Sequence, residues 1–551
     1  SIRQHRYPPN LLLTHFCQMY LICPSNLTII NEKGIDMHNL YEVTQRILAL
    51  TAVAALLCSY PIAAKELNLP NYNTPIPEEV MTPDTVETSI GTLGFFDGLP
   101  DEDTVQKVYD NLDLIRATEV FLEMIPLASI EGLRRGMLSV GVDAANKIML
   151  YNNLMDSNSL FLTGNTDTIY AIGFLDLGRD GPTVIEIPPG AGPGTLNDAY
   201  FRFVIDMGAP GPDRGKGGKY LILPPGYEGD IPEGYFAVES PTYVNWLPLR
   251  GFLVDGKTDA AVKMWSEGLK IYPLAKTDNP PALEVINSTG IYMNTIHAND
   301  HSFFEEVAEV IHREPLEFLD DELRGNLASI GIEKGTPFEP DERMQAILKD
   351  AAAIANATSR ALAFRSRSDT IGIYGPDSAW FTAFDGGSYQ WLKDDGKGGR
   401  NKDARSLFFY IATVNTPAMV LEMIGVGSQY ALAALDSKGA YLNGADSYKL
   451  TIPANVPAKD FWSLVVYDPQ TRSMLQTDQP YPSKNNERNQ DMLVNKDGST
   501  TLWFGPKPPP GKEANWIQTL QGKGWFLCLR LYGPLEHWFD KSWQPGEIEK
   551  L

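Results

Sequence analysis

Four cysteines and seven histidines are all that the 551-residue sequence offers to thiol, disulfide or imidazole chemistry. Cys17, Cys23 and Cys58 sit near the N-terminus, so a chain trimmed beyond them keeps Cys528 alone. A single cysteine excludes an intramolecular disulfide, and such a protein relies on packed cores or oligomer contacts instead. Positive charge is also scarce. Lys and Arg number 46 against 69 Asp and Glu, a net charge of −23. Nucleic acid and anionic lipid need clustered positive charge, so both are excluded as partners. Long hydrophobic runs are missing as well: the run from Ile47 to Cys58 is shorter than the ~20 apolar residues of a transmembrane helix.

The glycine-rich stretches fail as phosphate cradles. GAGPGTL and RGKGGKYLIL both run into strand-like sequence, whereas a phosphate loop needs a helix N-terminus there. MIGVGSQY lacks the spacing of a nucleophile elbow. His297 and His301 have the i,i+4 spacing of a metal pair, but Asn299–Asp300 reads as a helix cap between them. KDDGKGGRNKD misses the ligand order of a calcium loop. No metal site, no cofactor and no catalytic residue is expected from these motifs. Cys528, inside the apolar run WFLCLRLYG, reads as a buried small hydrophobe.

What is present begins with a targeting pattern. From Met37, Arg46 precedes the apolar run, and Ala63–Ala64 precede Lys65. A charged flank, a short hydrophobic core and small residues form a secretory signal over residues 37–64. Residues 1–36 read as upstream or leader sequence. Removing residues 1–64 takes away four basic and three acidic residues, which deepens the charge to −24. The expected address is outside the cytoplasm, in the periplasm or cell envelope.

The 47 glycines and 40 prolines are spread along the chain, which favours a turn-rich, mainly β protein. Residues 65–158 give a Pro-rich lead and then helical periodicity through TVQKVYDNLDLIRATEVFLEMIP and SIEGLRRGMLSVGVDAANKIMLY. Residues 159–275 break into short apolar runs at sandwich-like spacing, closed by the helix DAAVKMWSEGLKIYPL. Residues 294–367 are helical again, with Asp300 as an N-cap and a stop at Pro315. Residues 368–551 carry strand-like runs, among them SLFFYIATV, FWSLVVYD and WFLCLRLYGP, interrupted by the polar excursion from Gln476 to Thr500.

Polar residues set among apolar ones are the candidate ligand site. Asn165, Asp167 and Tyr170 lie in GNTDTIY, Tyr200 and Arg202 in AYFRF, and Tyr467, Asp468 and Arg472 in VVYDPQTRSM. Arg530 and Tyr532 lie in LRLYGP, with Trp516 and Trp538 nearby in sequence. Strand alternation puts Arg530 and Tyr532 on one face, with Trp525 or Phe526 setting the opposite phase. Buried arginine needs a partner, and Asp468 or Asp167 would serve. The set reads either as an interior polar network or as a pocket with aromatic platforms and an arginine clamp for a carbohydrate or carboxylate. Two carboxylates for glycoside hydrolysis cannot be picked from 69 acidic residues.

GNTDTIYAIGFLDL, GPTVIEIPPG and RGKGGKYLILPPGY resemble the domain-of-unknown-function family 1254. SYKLTIPANVPAKDFWSLVVYDPQTRSMLQT, DGSTTLWFGPKPPPGKEANWIQT and GKGWFLCLRLYGPLEHWFDKSW resemble family 1214, which commonly follows 1254 in exported bacterial proteins. The resemblance implies an immunoglobulin-like β-sandwich, a small helical domain and a C-terminal jelly-roll-like β-sandwich. It implies no established reaction and no agreed catalytic residues. The expectation is an exported, homo-oligomeric protein that binds a glycan or envelope component without turnover. The alternative is a carbohydrate-active or other hydrolase using carboxylates in a cleft between the β regions.

Overall fold

In the computed structural model, residues 74–551 are described, and the leader and signal readings lie outside them. Residues 74–81 belong to a separate N-terminal unit and contain one 3₁₀ turn, Glu78–Val80. Residues 82–551 form the other unit. It is mixed α/β, with several multi-stranded sheets and a layer of helices, so helix carries more of the architecture than a mainly β reading expects.

Helix α1, Glu102–Ser139, joins two segments that read separately in sequence. Its first turn is capped by Asp101, whose carboxylate accepts from the Thr104 amide at 2.7 Å. Pro126 lies inside the helix and has no N–H for the Leu122 carbonyl. The Ser406 hydroxyl donates to that carbonyl instead, at 3.1 Å. Helicity stops at Ser139, and Lys147–Leu150, expected as helix, is a strand. The other longer helices are α2 (Asp259–Gly268), α3 (Ser302–Arg313), α4 (Asp321–Ala328), α5 (Glu342–Phe364) and α6 (Lys402–Ile411).

Two sequence readings are corrected here. The apolar run SLFFYIATV, expected as a strand, is helix α6 as far as Ile411. A short run buried on every side carries no period that separates helix from strand. Asn401 starts the turn by accepting from the Ala404 amide. The tail of the expected helix DAAVKMWSEGLKIYPL is the strand Lys270–Pro273.

The first β region pairs a six-stranded sheet with a four-stranded one. The larger sheet has the order 284–287, 147–150, 169–176, 244–251, 194–198, 203–207, and the smaller 236–239, 218–223, 183–187, 270–273. Ile148, Ile185, Ile222, Leu247 and Trp265 fill one core of this region. The second β region has two four-stranded sheets, 428–433, 526–534, 458–467, 483–485 and 516–518, 500–505, 448–452, 549–550. Its core is Leu450, Leu464, Phe504, Trp525 and Leu529.

A third core joins these parts. Phe121 and Ile125 of α1, Phe303 of α3, Ala355 of α5 and Phe408 of α6 cluster with Trp246 from one β region and Val465, Tyr467 and Phe526 from the other. Both β regions therefore present a second buried face to the helices. The strand Phe526–Pro534 is buried along its whole length for this reason. Phe526 and Cys528 face the helices, and Trp525, Leu527, Leu529 and Leu531 face the core of the second β region. The phase left open in sequence is thereby decided: Trp525 lies opposite Arg530 and Tyr532.

Helix α1 runs against the backbone of residues 294–297. A Cβ at Gly136 would lie 2.5 Å from the Asn294 carbonyl oxygen. Gly136→Ala is expected to destabilise the fold by about 1–3 kcal/mol despite the better helix propensity of alanine. Urea unfolding that shows the variant equal or more stable would contradict this packing.

Helix α3 adds a buried charge. Glu306 is 8% exposed, accepts from the Ala298 amide at 3.0 Å and meets Arg135 at 3.1 Å. Burial, with Glu131 and Glu309 nearby, raises its pKa to about 7. A carboxyl raised above its unfolded value stabilises the fold while protonated, and that contribution fades as pH rises through 7. Glu306→Gln should therefore gain about 2–3 kcal/mol relative to the native chain between pH 4.5 and pH 8. A pH-independent difference in melting temperature would count against this assignment.

Candidate functional site

The loop at residues 163–168 enters the strand Ile169–Asp176 and is shaped by one side chain. Asn165 Oδ1 accepts from the amides of Asp167 (2.9 Å) and Thr168 (3.1 Å), and its Nδ2 donates to the Tyr170 hydroxyl. The turn places Asp167 against the second β region. Ser463 Oγ donates to Asp167 Oδ2 at 2.5 Å, and Asn485 Nδ2 donates to Oδ1 at 3.0 Å. The Tyr532 hydroxyl donates to Oδ2 from 3.4 Å. Arg488 reaches the same loop, donating to the Thr166 carbonyl at 2.9 Å and to Ser483 Oγ at 2.6 Å.

Beside it, Tyr467 donates its hydroxyl hydrogen to the Gly164 carbonyl at 2.8 Å and accepts from Arg530 Nη2 at 2.7 Å. Arg472 is fully buried, donates to the carbonyls of Tyr410 (3.0 Å) and Gln470 (2.8 Å), and lies 4.1 Å from the centre of the Tyr410 ring. The expected pairing of these arginines with Asp468 or Asp167 does not occur. Asp468 pairs with Lys523, and carbonyl oxygens and aromatic faces take the guanidinium charge instead. Burial lowers Arg472 to about 10, which leaves it charged at neutral pH. Burial and Arg472 together lower His297 to about 3, so that imidazole is neutral. Burial pushes the Cys528 thiol up to about 11.

Seven of the twelve residues singled out in the sequence thus converge: Asn165, Asp167, Tyr170, Tyr467, Arg472, Arg530 and Tyr532. They form the interior joint of the two β regions. Trp538 is elsewhere, packed edge-on to Tyr374 and donating to Gln429 Oε1 at 3.3 Å. Trp516 is also outside, donating to the Gly505 carbonyl. Ser463, Asn485 and Arg488 escaped the sequence reading. The last two lie in the polar excursion, whose SKN segment pairs as a third strand of its sheet.

Tyr200 and Arg202, the remaining candidates, open onto a different feature. Asp198 accepts from the amides of Tyr200 and Arg202, both at 2.8 Å, and holds Phe201 at φ +56° between them. That turn sends Tyr200 and Arg202 into a cavity of about 530 Å³. Its walls include Phe318, Tyr389, Trp391 and Phe409. Its cations are Arg202, Arg400, Lys402 and Arg405. The Tyr200 ring lies between two guanidiniums, Arg202 and Arg405, each 5.7 Å from its centre.

The carboxylates there are largely engaged. Glu123 meets Lys402 at 2.6 Å and Arg405 at 3.8 Å, and Asp320 caps α4 through the Leu323 amide at 2.9 Å. Two guanidinium atoms, Arg202 Nη2 and Arg405 Nε, are buried with no hydrogen-bond partner among the described residues. Desolvation and the like charges of Arg405 and Arg202 lower the Arg400 pKa. Among the described residues, no group of three or more His, Cys, Asp or Glu side chains is arranged to hold a metal. No helix of the described residues is long and apolar enough to cross a membrane.

A family model described as a protein of unknown function, DUF1254, matches residues 145–273. A second, described as a protein of unknown function, DUF1214, matches residues 427–536. The chain carries these two families in tandem. Among solved structures, the VPA0106 protein of Vibrio parahaemolyticus is 16% identical with a TM-score of 0.49, covering 80% of this chain and 100% of its own. An uncharacterised protein from Burkholderia cenocepacia is 12% identical with a TM-score of 0.35, covering 81% of this chain and 96% of its own. No curated protein matches.

The joint is the contact between the DUF1254 and DUF1214 segments, since Asn165, Asp167 and Tyr170 fall in the first and Ser463, Asn485 and Tyr532 in the second. Asp167→Ala would leave three buried donors without an acceptor. The expected loss is about 3–5 kcal/mol in urea unfolding. A loss below about 1 kcal/mol, within the range of a surface pair, would show that the joint is not organised around this carboxylate.

Proposed function

We propose that this DUF1254/DUF1214 protein is a non-catalytic binding protein for an acidic saccharide or similar anionic envelope component. The observation that carries the reading is the cationic, aromatic-walled cavity at Arg202 and Arg405 in a chain whose net charge is −23. The four cations share the cavity with Glu123, Asp320 and Glu322, and Asp198 pairs with Arg202 at 2.5 Å, so the attraction for an anion rests on local guanidinium donors rather than on a large positive field. Unpartnered guanidinium N–H groups supply directional donors for a carboxylate, and the aromatic walls supply faces for the apolar side of a sugar ring. Hydrolysis is disfavoured because Glu123 and Asp320 are tied up in ion-pair and capping roles, which leaves Glu322 as the one cavity-lining carboxylate without such a role among the described residues.

Export to the periplasm or cell envelope belongs to the same proposal and rests on the signal pattern of residues 37–64. The immunoglobulin-like and jelly-roll-like readings of the two β regions rest on the family resemblance. Homo-oligomerisation is supported by the exposed apolar side chains Phe96 (81%), Leu99 (68%) and Tyr109 (59%) near the start of α1.

Titration calorimetry with uronic-acid oligosaccharides and their neutral counterparts tests the binding reading. The acidic series should bind, and Arg405→Gln should weaken it at least ~10-fold, as expected for loss of a charge-assisted contact. Release of reducing ends, or equal affinity for the neutral series, would replace this reading with another.

A further inference from the structure

A second cavity lies inside the joint, distinct from the one at Arg202. It measures about 40 Å³ and is lined by Thr163, Tyr170, Arg250, Tyr430, Cys528 and Arg530, with Phe384, Phe408 and Leu432 as apolar walls. We propose that this cavity is a binding site for a small, weakly hydrated monovalent anion, a halide or nitrate, clamped between Arg250 and Arg530.

Charge is the first argument. Arg530 is 4% exposed, and its guanidinium lies 5.5 Å from the centre of the Tyr430 ring. Arg250 sits 5.5 Å from the centre of the Tyr170 ring. Among the described residues neither has a carboxylate oxygen within 4 Å, and Asp167 is already satisfied by Ser463, Asn485 and Tyr532. Arg530 is buried and Arg250 half-buried, and two guanidiniums facing one small cavity repel each other, a state that a protein relieves with a counter-charge.

Hydrogen bonding is the second argument, and it comes from different atoms. Arg530 uses Nη2 on the Thr163 carbonyl and the Tyr467 hydroxyl, but its buried Nε has no partner among the described residues. The buried Tyr430 hydroxyl has none either. Tyr170 accepts from Asn165 Nδ2, which leaves its own hydroxyl hydrogen free. The unmatched groups include three hydrogens to donate. A water would take up some of these hydrogens and leave the charge; an anion takes up both.

Size and polarity select the class. A cavity needs roughly 10–15 Å³ to hold one water, so about 40 Å³ admits an ion of a few atoms and excludes a sugar or phosphate ester. Apolar walls favour an anion that gives up its hydration readily, so bromide and nitrate should bind more tightly than fluoride or sulfate.

The test uses the full chain, exchanged into sulfate buffer and titrated with bromide or nitrate at constant ionic strength. A saturable rise in melting temperature following single-site linkage is expected, together with a bromide anomalous peak between Arg250 and Arg530. Tyr430→Phe, which removes one donor and keeps the ring, should weaken bromide severalfold, and Arg250→Gln should abolish its effect. No difference between bromide and sulfate in the native chain would overturn the proposal, as would a bromide-soaked crystal with only water in the cavity. The native-chain arms decide the matter even if a variant fails to fold. Saccharide binding at Arg405 is read separately, so the two proposals fail independently.

Discussion

Asp167 is 1% exposed, and its three side-chain donors come from strands 296 to 365 residues further along the chain. A carboxylate in that position is tolerable only while Ser463, Asn485 and Tyr532 remain aligned on it. The same alignment brings Tyr467 onto the Gly164 carbonyl and Arg488 onto Thr166, so the loop of one family segment is held by the sheet of the other. The helices complete this arrangement. The Arg472 guanidinium rests on Tyr410 of α6, and α6 supplies the hydroxyl that satisfies the carbonyl left free by Pro126 in α1.

This explains how one chain keeps a tight joint and an open cavity. In the joint, Arg472 and Arg530 meet backbone carbonyls and ring faces, one carboxylate meets neutral donors, and the room left is a cavity of about 40 Å³. Around Arg202 the turn at Phe201 splays aromatic side chains apart, and the cations outnumber the carboxylates free to meet them. The first arrangement holds the two β regions together; the second leaves Arg202 Nη2 and Arg405 Nε without a hydrogen-bond partner among the described residues. Arginine serves in both because its planar fork offers several donors at once, which in the joint go to ring faces and carbonyls.

Much of the element order was legible from periodicity and caps. The strands around TVIEI, KYLIL, FWSLVVY and WFLCLRLYG stand where alternation and turn residues place them, but the cap expected at Asp300 falls one residue early: the helix begins at Ser302 with His301 at the N-cap position, and Asp300 accepts from the Ser302 amide at 3.0 Å. The failures share a cause. SLFFYI is buried on all sides, so it shows no polar face from which a period is read. KIML and KIYP follow helical stretches, and only sheet pairing reveals their ends as strands.

The candidate site divides along the same line. Residue type alone marked Asp167, Tyr467, Arg472 and Arg530 as polar groups in apolar surroundings, because such groups are costly to bury and need a reason to be there. Composition settled the negative charge, the shortage of cysteine and the family motifs. Which arginine meets which partner was decided only by tertiary structure. Hydrogen bonds join atoms close in space, and residues 163–168, 410, 463–488 and 530–532 become neighbours only when two sheets and a helical layer pack. The cavity at Arg202 and Arg405 is a product of that packing as well, since its walls come from four separate stretches of chain and no local pattern announces them.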